Sequence, residues 1–324
     1  MKTFVKDLVV NAEVTSFFLI GDAPQVRKSK KDKDYWCLKL SDKTGEVEAR
    51  CWEVDGLGDA NQFKKCFVKI RGMVGEWSNS LQLSVSQLRK VVESDDVDPG
   101  DFFERSPFDK DVMWKELSDI LLEHVSNGYL YSLVTNLLTA NEIEFKVAPA
   151  AKSVHHNYVS GLLEHSLSLC KTAILLSDRY GLDKSLMLAG CVTHDIAKTR
   201  ELTYEMGIGY STEGTLLGHL AMGLMMISEA INKIEDFPQE LKIAVLHLVA
   251  AHHGSLAWGS VKVPLMREAI SFHICDLLDS RLAICDRAAK KGFDENGLTE
   301  WVKELEGPLW RGPWQSSADD STVS

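Results

Sequence analysis

The octet Cys191-Val192-Thr193-His194-Asp195-Ile196-Ala197-Lys198 decides how the second half of this chain is read. It closes an apolar run (Leu186, Met187, Leu188, Ala189, Cys191, Val192) whose spacing predicts one face of a buried helix. An imidazole and a carboxylate side by side in such a run are costly to bury unless something pairs with them, and a divalent cation is the usual solution. Lys198, four residues after His194 and three after Asp195, shares their face if the helix continues. The other parts of a metal site are then expected on other helices.

Working outward, helical patterns are expected over 110–126, 129–140, 161–180, 184–195, 218–233, 240–252, 263–290 and 298–305. Four places in them carry possible ligands. His165 sits mid-helix in Leu162-Leu163-Glu164-His165-Ser166-Leu167, and His219 follows Leu216-Leu217-Gly218. His252 and His253 close the apolar run from Ala244 to Ala251 and precede Gly254, while Asp276 lies in Ile274-Cys275-Asp276-Leu277-Leu278. Taken singly, each has an ordinary explanation as a hydrogen-bonded core residue. Taken together, they would leave a cluster of unsatisfied buried groups unless they converge on a cation. Nitrogen and oxygen donors without a thiolate suit Mn2+, Fe or Mg2+ better than a structural zinc.

Residues 1–93 alternate in the manner of strands instead. A strand ending at Gly21 leads into a basic stretch, Val26-Arg27-Lys28-Ser29-Lys30-Lys31-Asp32-Lys33, expected as a loop. Then come Tyr35 to Asp42, a turn at Lys43-Thr44-Gly45, and Glu46 to Trp52, where Val47, Ala49 and Cys51 can face a core and Arg50 and Trp52 the other side. A second hairpin follows over 67–85. About five strands in this length fit a small closed all-β barrel, the OB-fold being the natural candidate. Such a barrel binds single strands when aromatics for base stacking adjoin cations for phosphates. Lys28, Lys30, Lys31, Lys33, Trp36, Arg50 and Trp52 are the candidates. The plainer reading makes the aromatics core and the basic stretch merely solvated. The chain is therefore expected to be multidomain: an OB-fold barrel over 1–93, an acidic linker over 94–109, an all-α domain over 110–306, and a partly disordered tail over 307–324.

The bulk numbers set limits. At 324 residues the chain can build two cores, and 45% hydrophobic with 26% charged residues is a globular composition. No stretch is expected to cross a bilayer, and the first residues lack a signal-peptide core. Seven scattered cysteines without paired CxxC spacing favour reduced thiols in a cytoplasmic protein. A net charge of −11 repels nucleic acid on average, so any nucleic-acid site must be a locally basic patch.

The order H … HD … H … HH … D, with Lys198 after the HD pair, resembles the HD-domain superfamily of metal-dependent phosphohydrolases. With the upstream barrel the chain looks like the YhaM-type 3′-to-5′ exoribonucleases, which join an OB-fold to an HD domain. The matching stretches are 155–162, 194–198, Tyr210-Ser211-Thr212-Glu213-Gly214-Thr215-Leu216-Leu217-Gly218-His219, and His252-His253-Gly254-Ser255-Leu256-Ala257-Trp258-Gly259-Ser260. The resemblance implies one cation on His165, His194, Asp195 and Asp276, and a second on His219 and His252, with Asp195 reaching both. It implies that Lys198 contacts a phosphate oxygen and that His253 is a ligand, a phosphate contact or a protonated group aiding the leaving oxygen. His155 and His156 are substrate-contact candidates. The implied activity is metal-dependent hydrolysis of single-stranded RNA, or DNA, to nucleoside 5′-monophosphates, with Mn2+ the first choice of two metal ions and a homo-oligomer an open expectation. Three other readings stand beside it: an HD-type nucleotide or cyclic-nucleotide phosphohydrolase with a regulatory barrel, a single-strand-binding protein without turnover, and a helical half that binds one structural metal.

Overall fold

The computed structural model describes residues 2–77, 80–95, 97–151, 157–203 and 208–312. The chain divides into two compact units, Met1–Pro107 with Leu202–Ser211 and Phe108–Glu201 with Thr212–Ser324.

The first unit holds β1 (Glu13–Ile20), β2 (Gln25–Lys28), β3 (Asp34–Asp42), β4 (Gly45–Cys51), β5 (Cys66–Trp77) and β6 (Ser80–Lys90). Strand β1 runs antiparallel to β5 along its whole length and closes onto β3 through Leu19↔Ser41 and Ile20↔Leu40. Strands β3 and β4 form a hairpin, β5 and β6 a second, and β4 joins β6 in parallel from Glu48↔Gln82 to Cys51↔Val85. The circuit β1-β3-β4-β6-β5-β1 is the closed OB-fold barrel that the alternating pattern predicts. Its core is the inward half of each strand, including Phe18, Leu40, Val47, Ala49, Cys51, Val68, Ile70, Leu83 and Val85. The β5–β6 register shifts at Arg71/Gly72, where a Cβ on Gly72 would stand 2.6 Å from the Ser84 carbonyl oxygen. Only glycine allows so close an approach.

Two details differ from expectation. The basic stretch 26–33 is partly strand: β2 pairs with β3 from Gln25↔Cys37 to Lys28↔Asp34, and a turn at Ser29–Lys33 joins them. The acidic segment after β6 is tied to the barrel, since Asp101 pairs with Lys2 at 3.2 Å and Lys43 at 3.1 Å, and buried Phe102 packs on Phe67.

The second unit is helical: α1 (Lys110–His124), α2 (Gly128–Ala140), α3 (Glu142–Val147), α4 (Gly161–Tyr180), α5 (Lys184–Thr193), α6 (Lys198–Glu201), α7 (Thr212–Ile231), α8 (Gln239–Ala251) and α9 (Arg267–Lys290). Side-chain caps start α1, α2 and α5, where Asp109, Asn127 and Asp183 accept from backbone N–H groups of the first turn. Helix α5 is buried from Ser185 to Thr193, so it is the central rod of this unit. It stops before the His-Asp pair: residues 194–197 are turns, and α6 begins at Lys198.

The helix expected over 298–305 does not form. Leu298–Val302 is a strand, β7, paired with β8 (Gly307–Trp310) through Gly307↔Val302 and Pro308↔Trp301. A Leu-Thr-Glu-Trp-Val run flanked by Gly297 and Gly307 favours strand over one short helical turn. The first residues of the expected tail are therefore structured, and 313–324 lie outside the described residues. Helix α7 also corrects the bilayer expectation on length and composition alone, since its 20 residues include an 18-residue stretch of mean hydropathy 1.3. It is interrupted at Gly218 (φ 71°, ψ 157°) and buries Met222, Met226, Ile227 and Ile231.

Candidate metal centre and nucleic-acid face

Six elements of the helical unit send side chains to one place. His165 comes from the middle of α4, His194 and Asp195 from the turn after α5, and Lys198 from α6. The break at Gly218 starts a new helical segment with His219, α8 ends at His252 and His253, and α9 supplies Asp276.

The donor atoms fall into two sets. In one, His194 Nε2 lies 3.3 Å from His165 Nε2 and 3.3 Å from Asp195 Oδ2, while His165 Nε2 lies 3.2 Å from Asp276 Oδ1. In the other, His219 Nε2 lies 3.3 Å from His253 Nε2. Asp195 Oδ1 turns to this second set, 3.6 Å from His219 Nε2 and 3.8 Å from His252 Nε2. Within each trio, His165/His194/Asp195 and His219/His252/His253, one ligand atom per residue lies within 4.8 Å of the others. Asp195 spans the two.

The opposite nitrogen of every ring is taken. Nδ1 of His165 meets Asp279 Oδ2 at 2.7 Å, and Nδ1 of His219 meets Glu201 Oε1 at 3.2 Å. Nδ1 of His194, His252 and His253 face the carbonyls of Gly190, Val249 and Trp258 at 3.2, 2.8 and 3.1 Å. A carbonyl only accepts, so these three rings carry their proton on Nδ1 and present Nε2 inward as a lone pair. Such outer partners are how proteins orient metal-binding histidines.

Asp195 supplies the test of fit. Its Oδ2 accepts from Lys198 Nζ at 2.6 Å, but its Oδ1 is buried with no hydrogen-bond partner among the described residues. An orphaned carboxylate oxygen facing inward-pointing Nε2 atoms is costly, and a divalent cation with nitrogen and oxygen ligands removes the cost. The donor set fits the metal.

Electrostatics agree. Burial opposes the charge on Asp195, but Lys198, His194 and His219 outweigh it and hold its carboxyl well below the usual range. Asp276 is held down in the same way, burial being outweighed by His165 and His194. Burial pushes His252 and His253 down, so both rings are neutral at neutral pH. Burial would lower His165 too, yet its hydrogen bonds to Asp276 and Asp279 prevail and raise it to about 10. At its Nε2 a proton and a cation are alternatives.

Of the residues singled out in the sequence, His165, His194, Asp195, His219, His252, His253 and Asp276 converge. Lys198 is almost buried and turned onto Asp195. His253 differs from one expected role: with Nδ1 committed to a carbonyl and burial keeping it neutral, it stands as a nitrogen donor rather than a protonated acid. His155 and His156 lie outside the described residues. Sequence reasoning missed Glu201 and Asp279. Glu201 fixes the His219 ring and also accepts from the His219 backbone N–H at 2.9 Å. Asp279 was signalled only by its i+3 spacing from Asp276 on α9.

On the barrel, Trp36 is corrected. It is 3% exposed and packs edge-on against Phe63, so it belongs to the core and cannot stack a base. Trp52 is 45% exposed, stacks on Tyr35 with ring centroids 4.6 Å apart, and donates from Nε1 to Ser84 Oγ. Arg50 lies over the exposed Trp77 ring at 5.5 Å. Lys28, Lys30, Lys31 and Lys33 are exposed, with Lys28 paired to Asp34 at 3.2 Å.

Residues 162–281 match the family model described as "HD domain". Residues 162–281 form an HD domain. The matched stretch holds every converging side chain from His165 to Asp276, as well as Asp279, and HD domains are metal-dependent. Among solved structures, the chain is similar to the second OB-fold domain of replication protein A from Methanococcus maripaludis, at 18% identity over 29% of this chain and 97% of that one, TM-score 0.23. It is similar to the OB domain of MM0293 from Methanosarcina mazei, at 19% identity over 29% and 85%, TM-score 0.23. A third is the mitochondrial single-stranded DNA binding protein Rim1 of S. cerevisiae, at 10% identity over 26% and 97%, TM-score 0.22. The assignment of the barrel rests on its own strand circuit.

Proposed function

We propose that this protein is a metal-dependent 3′-to-5′ exoribonuclease that releases nucleoside 5′-monophosphates from single-stranded RNA. The observation that carries the reading is Asp195, whose two oxygens face two separate groups of histidines. His165, His194, Asp195 and Asp276 would hold one divalent cation; His219, His252, His253 and the second oxygen of Asp195 would hold another. Mn2+ suits these donors, and Fe or Mg2+ is compatible. Bound cations supply Lewis acidity toward a phosphoryl oxygen and lower the pKa of water.

The chain's own groups do the rest. Asp279 and Glu201 lock the rings of His165 and His219, so the Nε2 atoms need no reorganisation. Lys198 balances the charge of Asp195 and places an ammonium beside the centre, where negative charge grows on phosphate oxygens. On the barrel, Trp52 with Tyr35 offers a stacking surface, and Arg50 with Lys28, Lys30, Lys31 and Lys33 supplies cations for a backbone. RNA and 3′-end polarity rest on the resemblance of the histidine motifs to YhaM-type enzymes.

The test is a digestion series: purified protein with Mn2+, end-labelled single-stranded RNA and DNA, and substrates with blocked 3′ ends. Stepwise shortening of free-ended RNA supports the reading. Hydrolysis of mononucleotides with intact oligonucleotides would instead favour the nucleotide phosphohydrolase, to which a mononucleotide-sized cavity of about 490 Å³ beside the cluster lends some weight.

A further inference from the structure

That cavity continues away from the metal cluster. Past Asp195, His252 and His253 its wall is built from Trp258, from Leu277, Arg281 and Ile284 of α9, and from Glu304. Positions 276, 280 and 284 repeat every four residues on one face of α9, so this wall runs about 12 Å along the helix.

Three chemistries meet there. Trp258 is 55% exposed and sits on a short 3-10 turn (Leu256–Trp258) whose last carbonyl accepts from His253 Nδ1, which ties the ring's position to the cluster. Arg281 and Glu304 are both half-buried. Neither side chain makes a hydrogen bond or ion pair among the described residues, not even with the other. Opposite charges that share a cavity without pairing are placed for a ligand carrying both partners. A flat aromatic, a guanidinium and a carboxylate acceptor beside a phosphoryl-transfer centre match the base, phosphate and sugar hydroxyl of a nucleotide.

We propose that this cavity is the subsite for the 3′-terminal ribonucleotide, in which Trp258 stacks the base, Arg281 pairs with a phosphate and Glu304 accepts from a ribose hydroxyl. The inference rests on the phosphodiester-hydrolase reading and adds its substrate contacts. Stacking on Trp258 tolerates any base, because every base has a π-face. A carboxylate that expects a 2′-hydroxyl donor is left unpaired by a deoxynucleotide, so Glu304 would set the preference for RNA.

Calorimetric titration of the full chain, loaded with Mn2+, with adenosine 5′-monophosphate, its 2′-deoxy analogue and inorganic phosphate tests this without requiring turnover. Adenosine monophosphate should bind at least tenfold more tightly than phosphate. Trp258→Ala and Arg281→Gln should each weaken it about tenfold, with part recovered in Trp258→Phe and Arg281→Lys. Glu304→Ala should remove the gap between ribo- and deoxynucleotide. Adenosine monophosphate binding no better than phosphate, or Trp258→Ala and Arg281→Gln titrating like the parent, overturns the subsite. RNA digestion is followed in parallel: digestion with unchanged KM in these variants overturns only the subsite, whereas an intact protein that digests no RNA overturns the exoribonuclease reading.

Discussion

Oδ1 of Asp195 lies 3.6 Å from Nε2 of His219, on the side of the carboxylate turned away from Lys198. One aspartate thereby faces two groups of imidazoles. Replacing it should remove the centre as a whole. Asp195→Asn is expected to lower RNA turnover by about a thousandfold or more and to cut bound metal measured by elemental analysis. It also leaves the nearly buried Lys198 without its counter-charge, at about 3–5 kcal/mol. The double variant Asp195→Asn/Lys198→Met should recover stability but not activity. Turnover surviving in the double variant would end the two-cation reading.

Chelation should silence hydrolysis, with Mn2+ restoring it. A cation present at one hundred times its Kd stabilises the fold by about 2.7 kcal/mol, so the helical unit should melt earlier when stripped. Protons compete for the same Nε2 atoms, so metal is held at neutral pH and lost as pH falls. Because burial holds His252 and His253 down, their share of the loss should come below about 6.5, the ordinary imidazole value. Metal content against pH checks this; release on raising the pH from 7 to 8 has the wrong sign.

Asp279 and Glu201 touch the rings from behind. Asp279→Ala and Glu201→Ala should each weaken metal affinity by about 10- to 100-fold while leaving all the direct ligands in place. Competition with a metal indicator measures it, and unchanged affinity would reduce both to packing residues.

The two barrel tryptophans should part company. Trp36→Ala empties core space and should cost about 3–5 kcal/mol, unfolding the barrel in a denaturant titration. Trp52→Ala should leave the fold intact and weaken single-stranded RNA binding by about 1–3 kcal/mol. Equal binding by the Trp52 variant would move the nucleic-acid face elsewhere.

Neutralising Lys28, Lys30, Lys31 and Lys33 together should flatten the salt dependence of RNA binding by up to about 0.7 per lysine that contacts phosphate. Lys28 already pairs with Asp34, so its share should be the smallest. An unchanged slope would mean the hairpin is only solvated.

Much was legible in the chain itself. Alternation at Val47, Ala49 and Cys51 predicted the inner face of a barrel strand, and all three are buried. Polar residues in apolar helices marked the histidines and aspartates that converge, because burying them unpaired is too costly to be incidental. Where reading went astray, local signals were short. At 298–305 a few residues of strand propensity outweighed a helical pattern barely two turns long. Trp36 shares a strand face with Leu38 and Leu40, both buried, so its period-2 register already pointed inward and away from a stacking role.

The residue types, their order and their element faces were set by the sequence alone, since periodicity is a property of one strand or helix. What lies opposite each face was decided by the tertiary structure. His165 meets Asp279 across 114 positions, and His219 meets His253 across 34. Only packing of α4, α7, α8 and α9 around the end of α5 could bring those atoms within hydrogen-bond range, split the histidines into two sets and leave one oxygen of Asp195 between them without a donor among the described residues.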